Sequence, residues 1–565
     1  MKIFTYAIVL LGLISQGYCE LSRDIINEIM AQSNDNERST VRIQLKIGKL
    51  YIGEYEETEP APSASAIDKE RGFILFDRNY LEAIYPNSNP KKSEIKNEFS
   101  GISAQNMPSI LNFSIYPLED LGNVNASVDD FVSKEGGKIS KANIDLRVGR
   151  YLGRGGSICY LKEGYTAKFP VLIKPGMARR VWLTVRVPAE AAPGYYETNV
   201  TLRTEKQKET RVKLVLKVLP IVMERKTDYS NGWFYGWWKD ENELLEELTE
   251  MRKDGFNSAM APAGTLTAKG MDFTALDKYY EAAKKAGMDG IHQVFNPGGM
   301  SGVAGSKEFT DKYEIFCREL FAWGEKHPDF KYTLWITDEP REIDDTGWNL
   351  NFKQTMSLLD AASSVKGLSK TITLVGDGSA ETDYPGMVPK LEWLQTHHWK
   401  SSEKIITIAR KLGTYWLYNS GVGRFEYGYH AWRTGAKGKF EWHYSWRQGD
   451  TFSPTYSQFA YVMRTPKNEL VPSPSYLRSL EGSNDLFLLY MLEKKVAEGL
   501  RSDRADIKSA AARGEGYLKA MRVRVPDYIK TEMVTGAEAG NDNEPMKEME
   551  QWRLELYRRL MAFNL

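Results

Sequence analysis

The rhythm of apolar and polar positions changes once along the chain, near Arg225. From Thr40 to about Val222, short alternating runs are broken by Gly, Pro and Asn, as in Val41-Arg-Ile-Gln-Leu-Lys-Ile47 and Arg180-Val-Trp-Leu-Thr-Val-Arg-Val187. A period of two, interrupted at short intervals by turn formers, predicts a β-sandwich. Beyond Arg225 apolar runs of strand length alternate with stretches of helical period, the pattern of repeated βα units around a parallel sheet or barrel. Eight strands are predicted: Trp233 to Trp238, Ser258 to Pro262, Gly290 to Phe295, Thr333 to Ile336, Thr371 to Gly376, Trp393 to Trp399, Thr414 to Tyr418 and Phe440 to Trp446. Amphipathic helices are expected over Glu241 to Lys253, Ala275 to Ala286, Lys307 to Lys326 and Leu350 to Val365. Eight such units in roughly 220 residues fit a (β/α)8 TIM-like barrel. After Trp446, a loop rich in Pro and Ser is expected to lead into helices at about Asn484 to Gly499, Asp506 to Val523 and Asn543 to Phe563.

The ends add two segments. Met1 and Lys2 precede an apolar run from Ile3 to Ile14 and a polar exit through Cys19, which reads as a signal peptide over residues 1–19. The run is shorter than the roughly 20 residues that span a bilayer, and no later stretch is apolar enough, so no membrane span is expected. The expected location is secreted or periplasmic. Lipid anchoring at Cys19 is less favoured, since Tyr18 is bulky and Gln16 stands where Leu is usual. The expected organisation is a multidomain α/β plus β protein: signal 1–19, a helical segment 20–39, sandwich 40–224, barrel 225–447, and a C-terminal loop and helical extension 448–565.

Composition narrows the partners. Lys plus Arg and Asp plus Glu both number 75, so no net field draws a polyanion and nucleic acid is not expected. Aromatic residues make up 12% of the chain, a surplus that suits stacking on sugar rings but also serves cores. The three cysteines, Cys19, Cys159 and Cys317, support neither a disulfide framework nor a Cys-based metal site.

Catalytic groups of such barrels stand at the C-terminal ends of the strands. The fourth predicted strand ends Leu334-Trp-Ile-Thr-Asp-Glu-Pro340, with two acids just past an apolar run. Pro340 bars further pairing and fixes the backbone after them. Neighbours inside a strand point to opposite sides, but at its end the alternation relaxes and both Asp338 and Glu339 can address one ligand. A neighbouring anion raises the pKa of an acid, which suits Glu339 as a proton donor beside Asp338. The competing reading is a helix cap or a loop salt bridge. Polar and aromatic groups at other strand ends are candidates for substrate contact: His397 and Trp399 at the sixth, Tyr418 and Asn419 at the seventh, Trp442, Tyr444 and Trp446 with His443 in the eighth, and Asp377 after the fifth. Strand alternation would put Trp442, Tyr444 and Trp446 on one face, either as an aromatic box for a ligand or packed against helices. Asp377 and Glu381 are reserve carboxylates after the fifth strand, and Glu441 is a third. Adjacent His397 and His398 diverge on a strand and lack metal-ligand spacing, and Gly376-Asp-Gly378 precedes no phosphate-binding helix. No metal or cofactor is expected.

The segments Trp182 to Val187 with Pro188 and Ala192-Pro-Gly-Tyr195, Thr337-Asp-Glu-Pro340, and Arg433 to Trp446 with Gly435, Gly438, Trp442, Tyr444 and Trp446 carry a resemblance. So does the weaker run Pro472-Ser-Pro474, Glu481-Gly482 and Asp485. In these stretches, over about residues 180–495, the chain resembles glycoside hydrolase family 123 and related secreted barrel proteins of unassigned function. Leu480 and Ser483-Asn484 depart from the family's usual residues, outside the acid pair. The resemblance implies a β-sandwich, a catalytic barrel, and retaining hydrolysis of β-linked N-acetylgalactosamine. In that route the substrate's acetamido oxygen attacks the anomeric carbon to give an oxazoline, so no protein nucleophile is needed. Asp338 would then hold the acetamido N–H, and Glu339 would move the protons. Two rivals remain at this level: a glycosidase for another sugar with a nucleophile such as Asp377 or Glu381, and a glycan-binding protein without catalysis. The expected partner is a glycan or oligosaccharide. The oligomeric state is not legible in the sequence.

Overall fold

The computed structural model describes residues 51–53, 57–154, 158–225, 228–236, 238–300, 302–340, 350–374, 384–397, 415–445, 460–465, 468–526 and 546–563. The expected signal, the helical segment 20–39, the strand Val41–Ile47 and Cys19 lie outside the described residues. The chain divides into two compact units, one of residues 1–223, 445–478 and 538–546, the other of 224–444, 479–537 and 547–565.

The first unit holds a six-stranded and a seven-stranded sheet. The strand Arg179–Val187 is central to the six-stranded sheet, antiparallel to both Met107–Pro117 and Ile144–Arg154. Its alternation sorts the side chains: Val181, Leu183, Val185 and Val187 join a hydrophobic cluster with Leu111, Phe113 and Ile115 of the same sheet. Val200, Leu202, Leu214 and Leu216 of the other sheet enter that cluster too, so the two sheets share one core. Trp182, on the other side of its strand, is buried with its indole N–H donating to Glu163. Where the sequence predicts only a loop after Trp446, the described residues include an antiparallel hairpin, Val462–Arg464 with Leu470–Pro472. Three-residue strands are too short to leave a periodic signal; this pair is held from outside by Thr166 Oγ1 on Pro472 O at 2.9 Å and by Tyr165 and Ala167 against Met463 and Val471.

The second unit is built on a closed barrel of eight parallel strands in chain order. They are β1 (Ser230–Trp233), β2 (Ser258–Ala261), β3 (His292–Val294), β4 (Tyr332–Trp335), β5 (Lys370–Leu374), β6 (Trp393–His397), β7 (Tyr415–Tyr418) and β8 (Gly438–Glu441). β8 pairs with β1 and closes the ring. Helices α1 (Glu241–Lys253), α2 (Thr274–Ala286), α3 (Lys307–Lys326) and α4 (Phe352–Ser363) follow the first four strands. Three of the four starts are set by side-chain caps: in α1 Asp240 accepts from Asn242 N and Glu243 N, in α3 Ser306 accepts from Phe309 N, and in α4 Asn351 forms a reciprocal box with Gln354.

Barrel bores are filled by inward side chains of alternating strand positions. Here the filling is aromatic: Phe234, Trp335, Trp416, Tyr418 and Phe440 form one buried cluster with Met260, and Phe295, Trp393 and Trp442 pack on it. Gln395 of β6 reaches Gln293 of β3 across the bore at 2.9 Å. Outward positions meet the helices, as where Tyr279 of α2 bonds His292 at 2.8 Å.

Between β7 and β8 the chain makes a buried π-helix, Glu426–His430, and a helical turn, Ala431–Thr434. Helices α5 (Pro474–Gly499), α6 (Ala505–Arg524) and α7 (Met546–Met561) follow the hairpin. Buried Asp485 of α5 accepts from Arg424 at 2.7 Å and from Arg553 at 2.5 Å, and Arg553 also reaches Glu481. A buried charge survives only when paired and hydrogen-bonded, and these three ion pairs meet that demand. No helix among the described residues is long and apolar enough to cross a membrane.

Candidate functional site

The end of β4 is where the chain changes task. Main-chain pairing to β5 continues past Trp335, with Ile336 N on Thr371 O at 2.9 Å and Thr373 N on Thr337 O at 3.2 Å. It then stops. Asp338 and Glu339 follow, both half-buried, and Pro340 is buried behind them. Glu339 takes a positive φ of 40°. A non-glycine residue in that region costs energy that the surrounding fold must hold, and such residues cluster at functional sites. The turn releases the two side chains from strand alternation at the barrel mouth.

Three further strand ends converge there. On β7, Tyr418 is wholly buried in the bore, and burial pushes its phenol well above 10, with the charges of Asp338, Glu339 and Glu441 adding to the rise. The phenol therefore stays neutral and keeps its O–H as a donor within electrostatic reach of both acids. Asn419 follows with φ 43°, and its Oδ1 accepts from Trp442 N at 2.7 Å. Trp442, just past β8, lays its ring on Phe234 at 4.6 Å, and Phe234 in turn meets Tyr418 at 6.2 Å and Trp335 at 5.3 Å. At the end of β3, Asn296 is clamped by donating to Ile336 O at 2.6 Å and accepting from Tyr313 Oη at 2.8 Å. Asn296, Met300, Trp335, Thr337 and Asp338 line a cavity of about 170 Å³.

Several expectations need adjustment. Trp442 and Tyr444 do not share a face. Trp442 joins the bore cluster, whereas Tyr444 packs on Tyr235 at 5.9 Å and Trp233 at 6.4 Å, which alternate with bore-facing Phe234 and so lie on the helix side. The cause is that β8 ends at Glu441, not Trp446, so period two cannot be carried past it. Similarly β1 is Ser230–Trp233 and not Trp233–Trp238; its aromatic continuation is mouth, not strand. Glu441 is no reserve acid for the site, because it faces away from the bore and pairs with buried Lys439. His397 ends β6 opposite Tyr418, and its side chain lies outside what is described. Asp377, Glu381, His398, Trp399 and Trp446 also lie outside the described residues. Among the described residues no group of three or more His, Cys, Asp or Glu could hold a metal ion, and Cys317 is a buried free thiol.

Phe234, Phe295, Trp335 and Asn296 were not among the sequence candidates. The signal they carry in the sequence is an aromatic or amide side chain within two residues of a strand end.

No protein-family model matches the chain, and no curated protein is similar to it in sequence. Among solved structures, a family 123 glycoside hydrolase from Clostridium perfringens, described for glycolipid glycan hydrolysis, superposes with a TM-score of 0.60. The match covers 87% of this chain and 98% of that one at 12% identity. The fold is that of a family 123 glycoside hydrolase. A β-glucuronidase from Bacteroides uniformis (TM-score 0.28, 11% identity, 69% and 48% of the two chains) and an endo-1,4-β-mannanase from Rhizomucor miehei (0.32, 11%, 45% and 94%) superpose too loosely to bear on the site.

Proposed function

We propose that the protein is an exported glycoside hydrolase that cleaves a β-linked N-acetylhexosamine, N-acetylgalactosamine foremost, with retention and through an oxazoline. The observation that carries this reading is the adjacency of Asp338 and Glu339 at the end of β4, released by a strained turn beside a neutral Tyr418 phenol. Two neighbouring acids at one strand end suit a division in which one holds the substrate's acetamido group and the other moves protons, in place of the usual acid and separate carboxylate nucleophile. It suits a substrate that brings its own nucleophile.

In the first step Asp338 accepts a hydrogen bond from the acetamido N–H, whose proton stays on nitrogen in the protonated oxazoline, and orients the acyl oxygen toward the anomeric carbon. That oxygen forms its bond as the glycosidic bond breaks, and Glu339 gives its proton to the leaving oxygen. In the second step the Glu339 carboxylate takes a proton from water, water opens the oxazoline at the anomeric carbon, and the acetamido group is restored. The Tyr418 hydroxyl is a donor for the acyl oxygen, and Phe234, Trp335 and Trp442 give the ring and acyl methyl an apolar wall. Positioning of this kind accounts for much of the rate when attack is intramolecular. We read the two-sheet unit as a β-sandwich accessory domain and α5–α7 as a C-terminal extension of the barrel.

The test is turnover of aryl β-N-acetylgalactosaminide and β-N-acetylglucosaminide, with inhibition by the thiazoline analogue of the oxazoline. Turnover on neither sugar contradicts the reading; turnover without thiazoline inhibition contradicts the oxazoline. Sequencing the exported protein's N-terminus tests the signal peptide.

A further inference from the structure

Outward positions of barrel strands face helices and are usually apolar, yet β8 presents Lys439 and Glu441 there, both essentially without solvent exposure. A buried ion pair adds little stability over an apolar pair of the same volume, so its retention invites a search for what else it holds. It holds the end of β7. Glu441 Oε1 accepts from Ser420 N at 2.8 Å while bonded to Lys439, and Lys439 Nζ also reaches Ser420 Oγ. Lys439 Nζ sits 4.6 Å over the ring of Tyr427, in the π-helix behind the wall. One residue earlier the bond runs the other way, from Trp442 N to Asn419 Oδ1 at 2.7 Å. The ladder between β7 and β8 ends at Tyr418 opposite Phe440. These two crossed bonds therefore latch the strand ends together just beyond it, where Tyr418 and Trp442 turn into the bore.

We propose that the Lys439–Glu441 pair is a positioning device that fixes the Tyr418–Trp442 side of the sugar-facing wall by gripping the Ser420 amide. This rests on the glycosidase reading for its kinetic consequence. The Glu441 carboxylate is the grip, and Lys439 keeps it charged and aimed in a dry place. Neither residue touches substrate.

Two double variants separate the grip from the charge. Lys439→Met/Glu441→Gln removes both charges and leaves an amide oxygen for Ser420 N–H, whereas Lys439→Met/Glu441→Met removes the acceptor as well. Losing a buried backbone partner costs enough to predict a fall of at least about tenfold in kcat/KM for the second variant, carried mainly by KM, and no more than about threefold for the first. The Gln variant is expected to melt close to wild type, because neutral replacement of a buried ion pair changes stability little. The double Met variant should melt somewhat lower, because its Ser420 N–H is left without an acceptor, so rates are compared at a temperature where both are folded. Equal kcat/KM in the two folded variants, or no loss in the second, overturns the proposal.

Hydrogen exchange of the peptide around Ser420 gives a readout independent of turnover and, in the wild-type protein, of any variant's folding. Protection of the Ser420 amide in the wild type and in the Gln variant, lost in the double Met variant, supports the latch even if no N-acetylhexosaminide is cleaved. In that case the glycosidase reading alone fails. An unprotected Ser420 amide in the wild type overturns the latch itself.

Discussion

Glycine to alanine inside a helix normally stabilises, by about 0.5 to 1 kcal/mol, because alanine has less backbone freedom to lose. Gly482, within α5, is expected to invert that sign. A Cβ built there lies 2.6 Å from Arg424 O, 2.8 Å from Tyr427 Cβ and 3.0 Å from Gly423 O. Two of these three atoms are backbone, so relief requires α5 to move away from the segment that leads into the π-helix. Overpacking of this kind costs about 1 to 3 kcal/mol, and because the obstructing atoms are backbone the upper part of that range applies, leaving a net loss of up to about 2.5 kcal/mol after the propensity gain. Gly516, at an exposed position of α6, has nothing within 4 Å of its Cβ position and supplies the control. Gly516→Ala should therefore raise stability while Gly482→Ala lowers it. Urea denaturation followed by helix circular dichroism, with midpoints compared at constant slope, reads the difference. The displacement also has a route to the site, since the Tyr427 ring stacks on Trp233 at 5.6 Å and lies under Lys439. A loss of turnover should accompany the loss of stability. Gly482→Ala as stable as Gly516→Ala would refute the claim that close approach of α5 dictates this glycine.

Two other perturbations have signs set by the structure. Burial lowers the imidazoles of His292 and His443 to about 4 and about 3, so both stay neutral in the folded protein while their unfolded counterparts protonate below about 6.5. Stability should thus be unaffected by them above pH 7. As pH falls from 6.5 to 5 it should drop with a slope rising toward two protons, about 2.7 kcal/mol per unit. His292→Phe should remove about one proton, or about 1.4 kcal/mol per unit, from that slope, and an unchanged slope in pH-resolved denaturation contradicts the burial argument. Trp442→Ala strips the ring that packs on Phe234 and should raise KM for aryl N-acetylhexosaminides about tenfold, the order of one lost aromatic contact, with a smaller effect on kcat. Unaltered KM would remove Trp442 from the wall.

Legibility in the sequence followed the range of the interactions. The bounds of α1 and α3 coincide with the amphipathic stretches because Asp240 and Ser306 cap them within three residues. Strands β2 to β7 coincide with apolar runs between turn formers, whereas β1 and β8 overlap theirs by only one and two residues, and the strand ends still expose Asp338, Glu339, Tyr418, Asn419 and Trp442. What escaped depends on distant partners. The aromatic run after Phe440 looks like strand because the residues that line a mouth and those that fill a bore have the same composition. Lys439 and Glu441 alternate as solvent-exposed charges would, and only the approach of Ser420 and Tyr427 reveals them as buried. The Glu481-Gly482 and Asp485 run, visible only as a resemblance, is explained by Arg553, Arg424 and the crowded backbone at Gly423 to Tyr427. The task of Asn296 is not legible locally, because it is set by Ile336 and Tyr313, 40 and 17 residues away.

The central claim is that Glu339 moves the protons of a glycosidic bond cleavage, and the direct measurement is kcat/KM of wild type and Glu339→Gln on an aryl β-N-acetylgalactosaminide. A positioned general acid and base contributes about 10² to 10⁴-fold, so the variant should lose at least about a hundredfold with its melting temperature retained. The deficit should be smaller on an aryl group that leaves without protonation. Wild-type rates in Glu339→Gln, or a loss that is the same whatever the leaving group, would contradict the account.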